Sequence, residues 1–176
     1  MDTNLGSVYL ADILYDHLPL ILAWRNDREI MQFLPSSPEK LGYPAQLEWF
    51  LRQRGQPREN ITELVMLTPV YLPYIERPVG TVHYNLATGE VGLLIGEKAL
   101  WGQGLGKVAL SLVLRWLLES RKTVGLKVWA VVHPENTASL KLFKSLGFVD
   151  AGPGRNGQNR LDWSCNEHLA EHLRRI

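Results

Sequence analysis

Cysteine occurs once in the 176 residues, at Cys165. That count excludes an internal disulfide and leads us to expect a reducing compartment. No apolar run reaches the roughly eighteen residues needed to cross a bilayer. The opening MDTNLGSVYL has no basic region followed by an apolar core, so no secretory leader is expected. Net charge is only +1 with 21% charged residues, which offers no broad footprint for nucleic acid or an anionic membrane. Internal repeats and low-complexity tracts are missing too. What these absences leave is one domain over residues 1–176, expected to be cytoplasmic and a monomer or homodimer. Its 45% hydrophobic content is enough to build a core.

The stretch Leu100–Ser120 is where the chain becomes informative. Gly102, Gly104 and Gly106 alternate immediately before a long apolar helix pattern. Glycines so spaced permit close backbone approach and dihedrals that side chains forbid. At a helix start they leave several N–H groups and the positive dipole end aimed at one spot, which suits phosphate. A Walker A loop is excluded, because Val108 stands where a hydroxyl is required and Trp101 where the first glycine belongs. The dinucleotide fingerprint fails as well, since Lys107 holds the position of its third glycine. In the helix, Lys107, Ser111, Arg115 and Glu119 recur every four residues, predicting one narrow stripe toward water.

A second stretch lies about thirty residues on. It runs Asn136, Ser139, Phe143, then Gly147–Phe148. With x-x-G-x-G before a helix and N-x-x-S-x-x-x-F-x-x-x-G-F after it, the chain resembles the GNAT superfamily of acetyl-CoA-dependent N-acetyltransferases. The Trp-Gly-x-Gly loop, the opening Ala23–Trp24–Arg25–Asn26–Asp27 and the pair Trp49–Phe50 look like its branch of ribosomal-protein N-terminal, spermidine and amino-sugar acetyltransferases. The resemblance spans residues 6 to 165.

Periodicity and turn signals predict the rest coarsely. Strands are expected at 7–13, 62–68, 78–85, 90–96 and 127–132, and a hairpin from 148–153 and 159–165 around Asn156–Gly157. Helices are expected after Asp16 as cap, around 29–33, over 44–54, over the central stretch and from Asn136 to Gly147, with a break at Pro35–Pro38. That order implies an α/β fold. It agrees with the GNAT fold, a mixed and mostly antiparallel central sheet flanked by helices.

The resemblance implies acetyl-CoA as co-substrate and direct transfer to a primary amine, with no metal. Cys165 lies away from both motifs, so no acyl-enzyme is expected. Gly102, Gln103, Gly104, Leu105, Gly106 and Lys107 would meet the pyrophosphate, and Leu94 and Ile95 the pantetheine arm. Asn136 is a good N-cap in its own right and by resemblance also faces the cofactor. Ser139 follows it by one turn and reads equally as a capping partner. A protonated amine must lose a proton before it attacks. Glu90 is the candidate base, weighed against a solvated strand-end glutamate. Phe143 stands where many relatives carry a proton-donating tyrosine; it is grouped with the cofactor-binding residues, and Ser139 and Tyr84 are weak substitutes for the missing acid. Trp24, Arg25, Asn26 and Trp49 are the acceptor candidates, suited to a sugar or a nucleotide phosphate. Glu29, Glu48, Glu59 and Glu63 lie in the same half and leave an acidic pocket open. The acceptor is therefore expected to be a small-molecule or peptide amine, with an amino-sugar nucleotide slightly ahead of a peptide N-terminus. A non-catalytic acetyl-CoA sensor is the alternative of another class.

Overall fold

In the computed structural model, residues 1–34, 40–55, 59–72, 74–120, 125, 127–164 and 167–175 are described. Cys165 and the break at Pro35–Pro38 lie outside them. A short strand β1 (Asp2–Thr3) is followed by β2 (Gly6–Asp12), helices α1 (Leu18–Asn26), α2 (Arg28–Met31) and α3 (Tyr43–Gly55), then strands β3 (Asn60–Pro69), β4 (Arg77–Asn85) and β5 (Val91–Ile95). Helix α4 (Leu105–Glu119), strand β6 (Trp129–Val132), helix α5 (Thr137–Ser145), strands β7 (Phe148–Pro153) and β8 (Asn159–Trp163) and helix α6 (Glu167–Arg175) complete the chain. The α/β fold is as expected from the sequence, with β1 and α6 added.

Strands β1 to β5 form one antiparallel sheet in chain order, and β6, β8 and β7 a second antiparallel sheet in that order. Central strand β3 has both faces covered, which is why Leu64, Val65, Met66 and Leu67 are all buried. Leu64 and Met66 pack with Leu18, Ile21, Trp24 and Phe50 beneath α1 and α3. Val65 and Leu67 join the larger core with Leu110, Val113, Leu114 and Phe148 on the α4 side. No helix among the described residues is long and apolar enough to cross a membrane.

Among the described residues the two sheets meet only at one end. Glu90 and Trp129 make a single parallel bridge, the Trp129 amide donates to Gly89 O at 2.9 Å, and its indole donates to Thr88 O at 2.7 Å. Beyond that clasp β5 and β6 diverge, so the backbone edge of β5 faces a cleft. At the far end of β5, the register of β3 and β4 shifts between Val65 and Met66, opposite Pro78–Gly80. A proline cannot donate to a ladder, so such a shift is expected beside Pro78. The displaced Val79 carbonyl accepts from Gly96 N (2.9 Å) and Glu97 N (3.2 Å), fixing where β5 passes into the glycine loop.

Two details differ from the sequence expectation. Asp16 does not cap α1; a short 3-10 turn over Tyr15–His17 leads in, with no side-chain cap and Pro19 in the first turn. The stripe on α4 is interrupted, because Ser111 is 2% exposed whereas Trp116 is 40% exposed. The helix has neighbours on several sides, including β2, β5, α5 and α6, and spacing cannot reveal these.

Candidate active site

Two cavities, of about 410 and 350 Å³, meet in the cleft between the sheets and share Leu34, Leu93 and Leu94. The larger is lined by Leu93, Leu94 and Ile95 of β5, by Trp101, Gly102, Gly104, Leu105, Gly106 and Lys107, and by Asn136, Ser139 and Leu142 of α5. Gly102 and Gly104 have φ of +74° and +84°, left-handed values that L side chains resist, and a Cβ on either would meet nothing within 4 Å. The first bond of α4 runs from Val108 N to Gly104 O at 3.1 Å, so the amides of Leu105, Gly106 and Lys107 have no partner inside the helix. Open space above glycine backbone, unpaired helix N–H groups and the lysine together fit a pyrophosphate.

Loop and strand are braced by Trp101, whose indole N–H donates to Ile95 O at 2.8 Å. Gly106 is needed for packing, since a Cβ there would come within 2.8 Å of Leu142 and 3.0 Å of Leu93. Asn136 caps α5 as expected, its Oδ1 accepting from Ser139 N at 3.0 Å. Helix α2 and the residues after it close the cavity from above, and Phe33 reaches across the cleft to His133 with ring centroids 5.3 Å apart.

The smaller cavity lies on the α1/α3 face of the sheet. Trp24, Arg25 and Trp49 form one side; Asn60, Thr62, Thr81 and His83 form the floor on β3 and β4. Trp24 is 5% exposed and lies flat against Gly96, where any Cβ would clash with its ring at 2.1 Å. Arg25 donates from Nη1 to the Oε1 of the buried Gln46 at 3.3 Å, and its guanidinium stands 6.0 Å from the centre of the Trp49 ring. Partial burial lowers the Arg25 pKa from its usual value, as expected for a cation short of water.

Several site expectations are corrected by this geometry. Asn26 is not in the acceptor cavity: its amide donates to Leu41 O (2.9 Å) and accepts from Leu41 N (2.8 Å), tying α1 to the segment before α3. Phe143 turns away from the cofactor cavity into the core, 4% exposed and edge-on to Phe148 with centroids 4.9 Å apart. The Gln103 side chain is exposed and bonded to Ala99 O at 2.8 Å, which leaves only its backbone N–H for the expected pyrophosphate contact. Tyr84 borders the acceptor cavity, but its hydroxyl donates to Glu63 at 3.1 Å and its ring packs on Trp116 of α4, on the opposite face of the sheet. Glu90 lines neither cavity; it is paired with Arg155 at the closed end of the cleft. The four acidic candidates are also dispersed. Glu29 binds Lys98 beside the cofactor cavity, Glu48 pairs with Arg52 on the surface, Glu63 meets Tyr84, and Glu59 is exposed.

The acceptor floor is what the sequence reading missed. Thr81 and His83 alternate with the buried Val82 and Tyr84 along β4, so one face of that strand is buried in the core and the other presents polar side chains to the smaller cavity. That period of two was the available signal.

A diverging pair of sheets thus carries a glycine loop and a capped helix at the split. Residues 8–149 match the acetyltransferase (GNAT) domain family, and the chain belongs to that family. It is 33% identical over 157 residues, 87% of this chain, to the uncharacterized protein MJ1062 of Methanocaldococcus jannaschii, and spans 30% of that relative's length. The crystal structure of a domain from Methanocaldococcus jannaschii superposes with a TM-score of 0.76 at 30% identity, covering 89% of this chain and 97% of that one. Mycobacterium smegmatis RimJ, solved with CoA-disulfide, has the same fold, with a TM-score of 0.77 at 16% identity over 98% and 90% of the two chains.

Proposed function

We propose that the chain transfers an acetyl group from acetyl-CoA to the amine of an amino sugar carried on a nucleotide. One observation carries the choice of acceptor: among the described residues no aspartate or glutamate lines the acceptor cavity, whereas Arg25 does. A polyamine or aminoglycoside bears several positive charges, and a cavity for either is expected to supply carboxylates. Arg25, short of water beside Trp49, suits a phosphate or sugar hydroxyls, and Asn60, Thr62 and Thr81 supply further polar groups for a sugar.

In this reading the glycine loop and the start of α4 hold the pyrophosphate, and the open edge of β5 directs the thioester toward Leu93 and Leu94. These two residues line both cavities, so amine and thioester converge there. Coenzyme A leaves as the thiolate, since Phe143 offers no proton and is buried. A thiol-release assay with acetyl-CoA tests the assignment across UDP-glucosamine, free glucosamine, spermidine, an aminoglycoside and a peptide N-terminus. Preferential turnover of the nucleotide-linked amine is expected. Preference for the polyamine, the aminoglycoside or the peptide would overturn the sugar assignment, and no amine-dependent thiol release with any of them would favour the sensor alternative.

A further inference from the structure

The resemblance points to Glu90 as the base, yet the geometry puts a different side chain in the acceptor cavity. We infer that His83 accepts the proton of the attacking amine, and that Glu90 acts only through it, as a positioning and charge-balancing residue. The inference rests on the acceptor cavity proposed above.

His83 is exposed to that cavity and is the one side chain among its lining residues whose ordinary titration lies near neutral pH. Its ring lies across the sheet against Gly92, its register partner on β5, where a Cβ would come within 2.2 Å of Cε1 and 2.8 Å of Nε2. The glycine therefore makes room for the ring. Leu94, where the two cavities join, lies on the same face two residues further along β5, about 7 Å away by strand rise. Two charged groups bear on the ring, Glu90 just before β5 and Arg155 in the β7–β8 connection, which pairs with Glu90; Arg25 on α1 lines the same cavity.

Although its ring opens to the cavity, His83 is surrounded by protein on its other sides. That desolvation lowers its pKa below the ordinary histidine value, the Glu90 charge opposes the shift, and Arg155 adds to it. The imidazole is thus neutral near pH 7 and able to receive a proton. In the step, His83 takes one proton from the ammonium, the freed nitrogen pair attacks the thioester carbon, the C–N bond forms and the C–S bond breaks. The thiolate departs and is protonated from the acetylated nitrogen through water, while the imidazolium returns its proton to solvent.

The test compares wild type, His83→Gln and Glu90→Gln in two reactions over a range of pH. One is acetylation of UDP-glucosamine, the other the slow hydrolysis of acetyl-CoA, in which water must lose a proton to the same group. His83→Gln is expected to lower both about a hundredfold or more and to abolish the acid limb of the pH profile, with acetyl-CoA affinity unchanged. Glu90→Gln is expected to stay within severalfold of wild type. Removing its charge lowers the His83 pKa, so the acid limb moves to lower pH. Wild-type rates and an intact acid limb in His83→Gln would overturn the inference, as would a hundredfold loss in Glu90→Gln alone. If wild type hydrolyses acetyl-CoA but ignores UDP-glucosamine, the sugar assignment fails, and the loss of hydrolysis in His83→Gln still decides the role of the histidine.

Discussion

The two cavities are built in different ways, although they share a wall. The cofactor cavity is anchored on backbone, from a run of consecutive residues at one helix start and the open edge of one strand, with side chains of α2 and α5 closing it. The acceptor cavity is made of side chains brought together from α1, α3, β3, β4 and β5. A backbone site needs glycines at fixed spacing and a cap at a fixed place, so it leaves a local trace in sequence. A side-chain site needs only that distant residues share a face. The first kind is readable from residue spacing alone, while the second becomes readable once strand register is known.

The contrast is sharpest at Gly104, where the largest effect is expected. Its φ of +84° and the open space above it combine a backbone requirement with a ligand requirement. Gly104→Asp should place a carboxylate against the pyrophosphate and weaken coenzyme A binding by roughly 3 kcal/mol, about a hundredfold, measured by calorimetry. Gly104→Ala adds strain of about 1–2 kcal/mol but no charge, so it should cost mainly stability. Equal coenzyme A affinity in a folded Gly104→Asp variant would show the loop to be only a turn.

Arg25 tests the other side. Removing it should raise the acceptor KM about ten- to a hundredfold, as for a charge-assisted contact of roughly 1.5–3 kcal/mol, and leave acetyl-CoA affinity alone. An unchanged KM would take Arg25 out of the site. A change in both constants would show the two cavities to be less separate than their construction implies.

What the sequence carried follows the same division. The glycine loop, the Asn136 cap and the β7–β8 hairpin were legible because each is local, and each is found where its spacing predicts. Phe143 lies on α5 as expected, but the resemblance that grouped it with the cofactor-binding residues does not carry over, since its ring packs against Phe148 in the core. Asn26 and Arg25 are adjacent in sequence and looked equivalent. A helix turns about 100° per residue, and that rotation separates a clasp on Leu41 from a cavity wall. Glu90 was a candidate base by resemblance, from its place just before the strand that leads to the loop. Its pairing to Arg155, sixty-five residues away, could not be read from either stretch.

Asn26 gives a smaller and more discriminating effect. Losing its two bonds to Leu41 should cost about 1–3 kcal/mol of stability and lower Tm by several degrees. The acceptor KM of the stable fraction should stay near wild type in Asn26→Ala. A raised KM with unchanged Tm would return Asn26 to the acceptor site and blur the distinction from Arg25.

The smallest effect concerns the join between the two regions. Asp27 caps α2, accepting from Glu29 N at 2.9 Å and Ile30 N at 3.2 Å, and Lys98 reaches from the loop side to bind Asp27 at 2.9 Å and Glu29 at 2.8 Å. These bonds, that from Lys98 first, hold the Asp27 pKa below its ordinary value, while the bonds to Glu29 and then Asp27 raise that of Lys98. The signs fix the pH window. A depressed carboxylate contributes stability above its unfolded pKa and loses it as pH falls through the folded one; a raised ammonium loses its contribution only as pH rises beyond the ordinary lysine value. Between these limits the cluster is fully formed. Because the groups are solvent-facing, the effect on Tm should be small and should shrink in salt. Asp27→Asn retains an oxygen acceptor for the cap but removes the charge, so its Tm should fall slightly below wild type near pH 7 and converge with it once pH has fallen through the depressed pKa of folded Asp27. A constant Tm difference across that fall would show that Asp27 works as a neutral cap alone, and that its ion pair with Lys98 contributes nothing to holding α2 over the cofactor cavity.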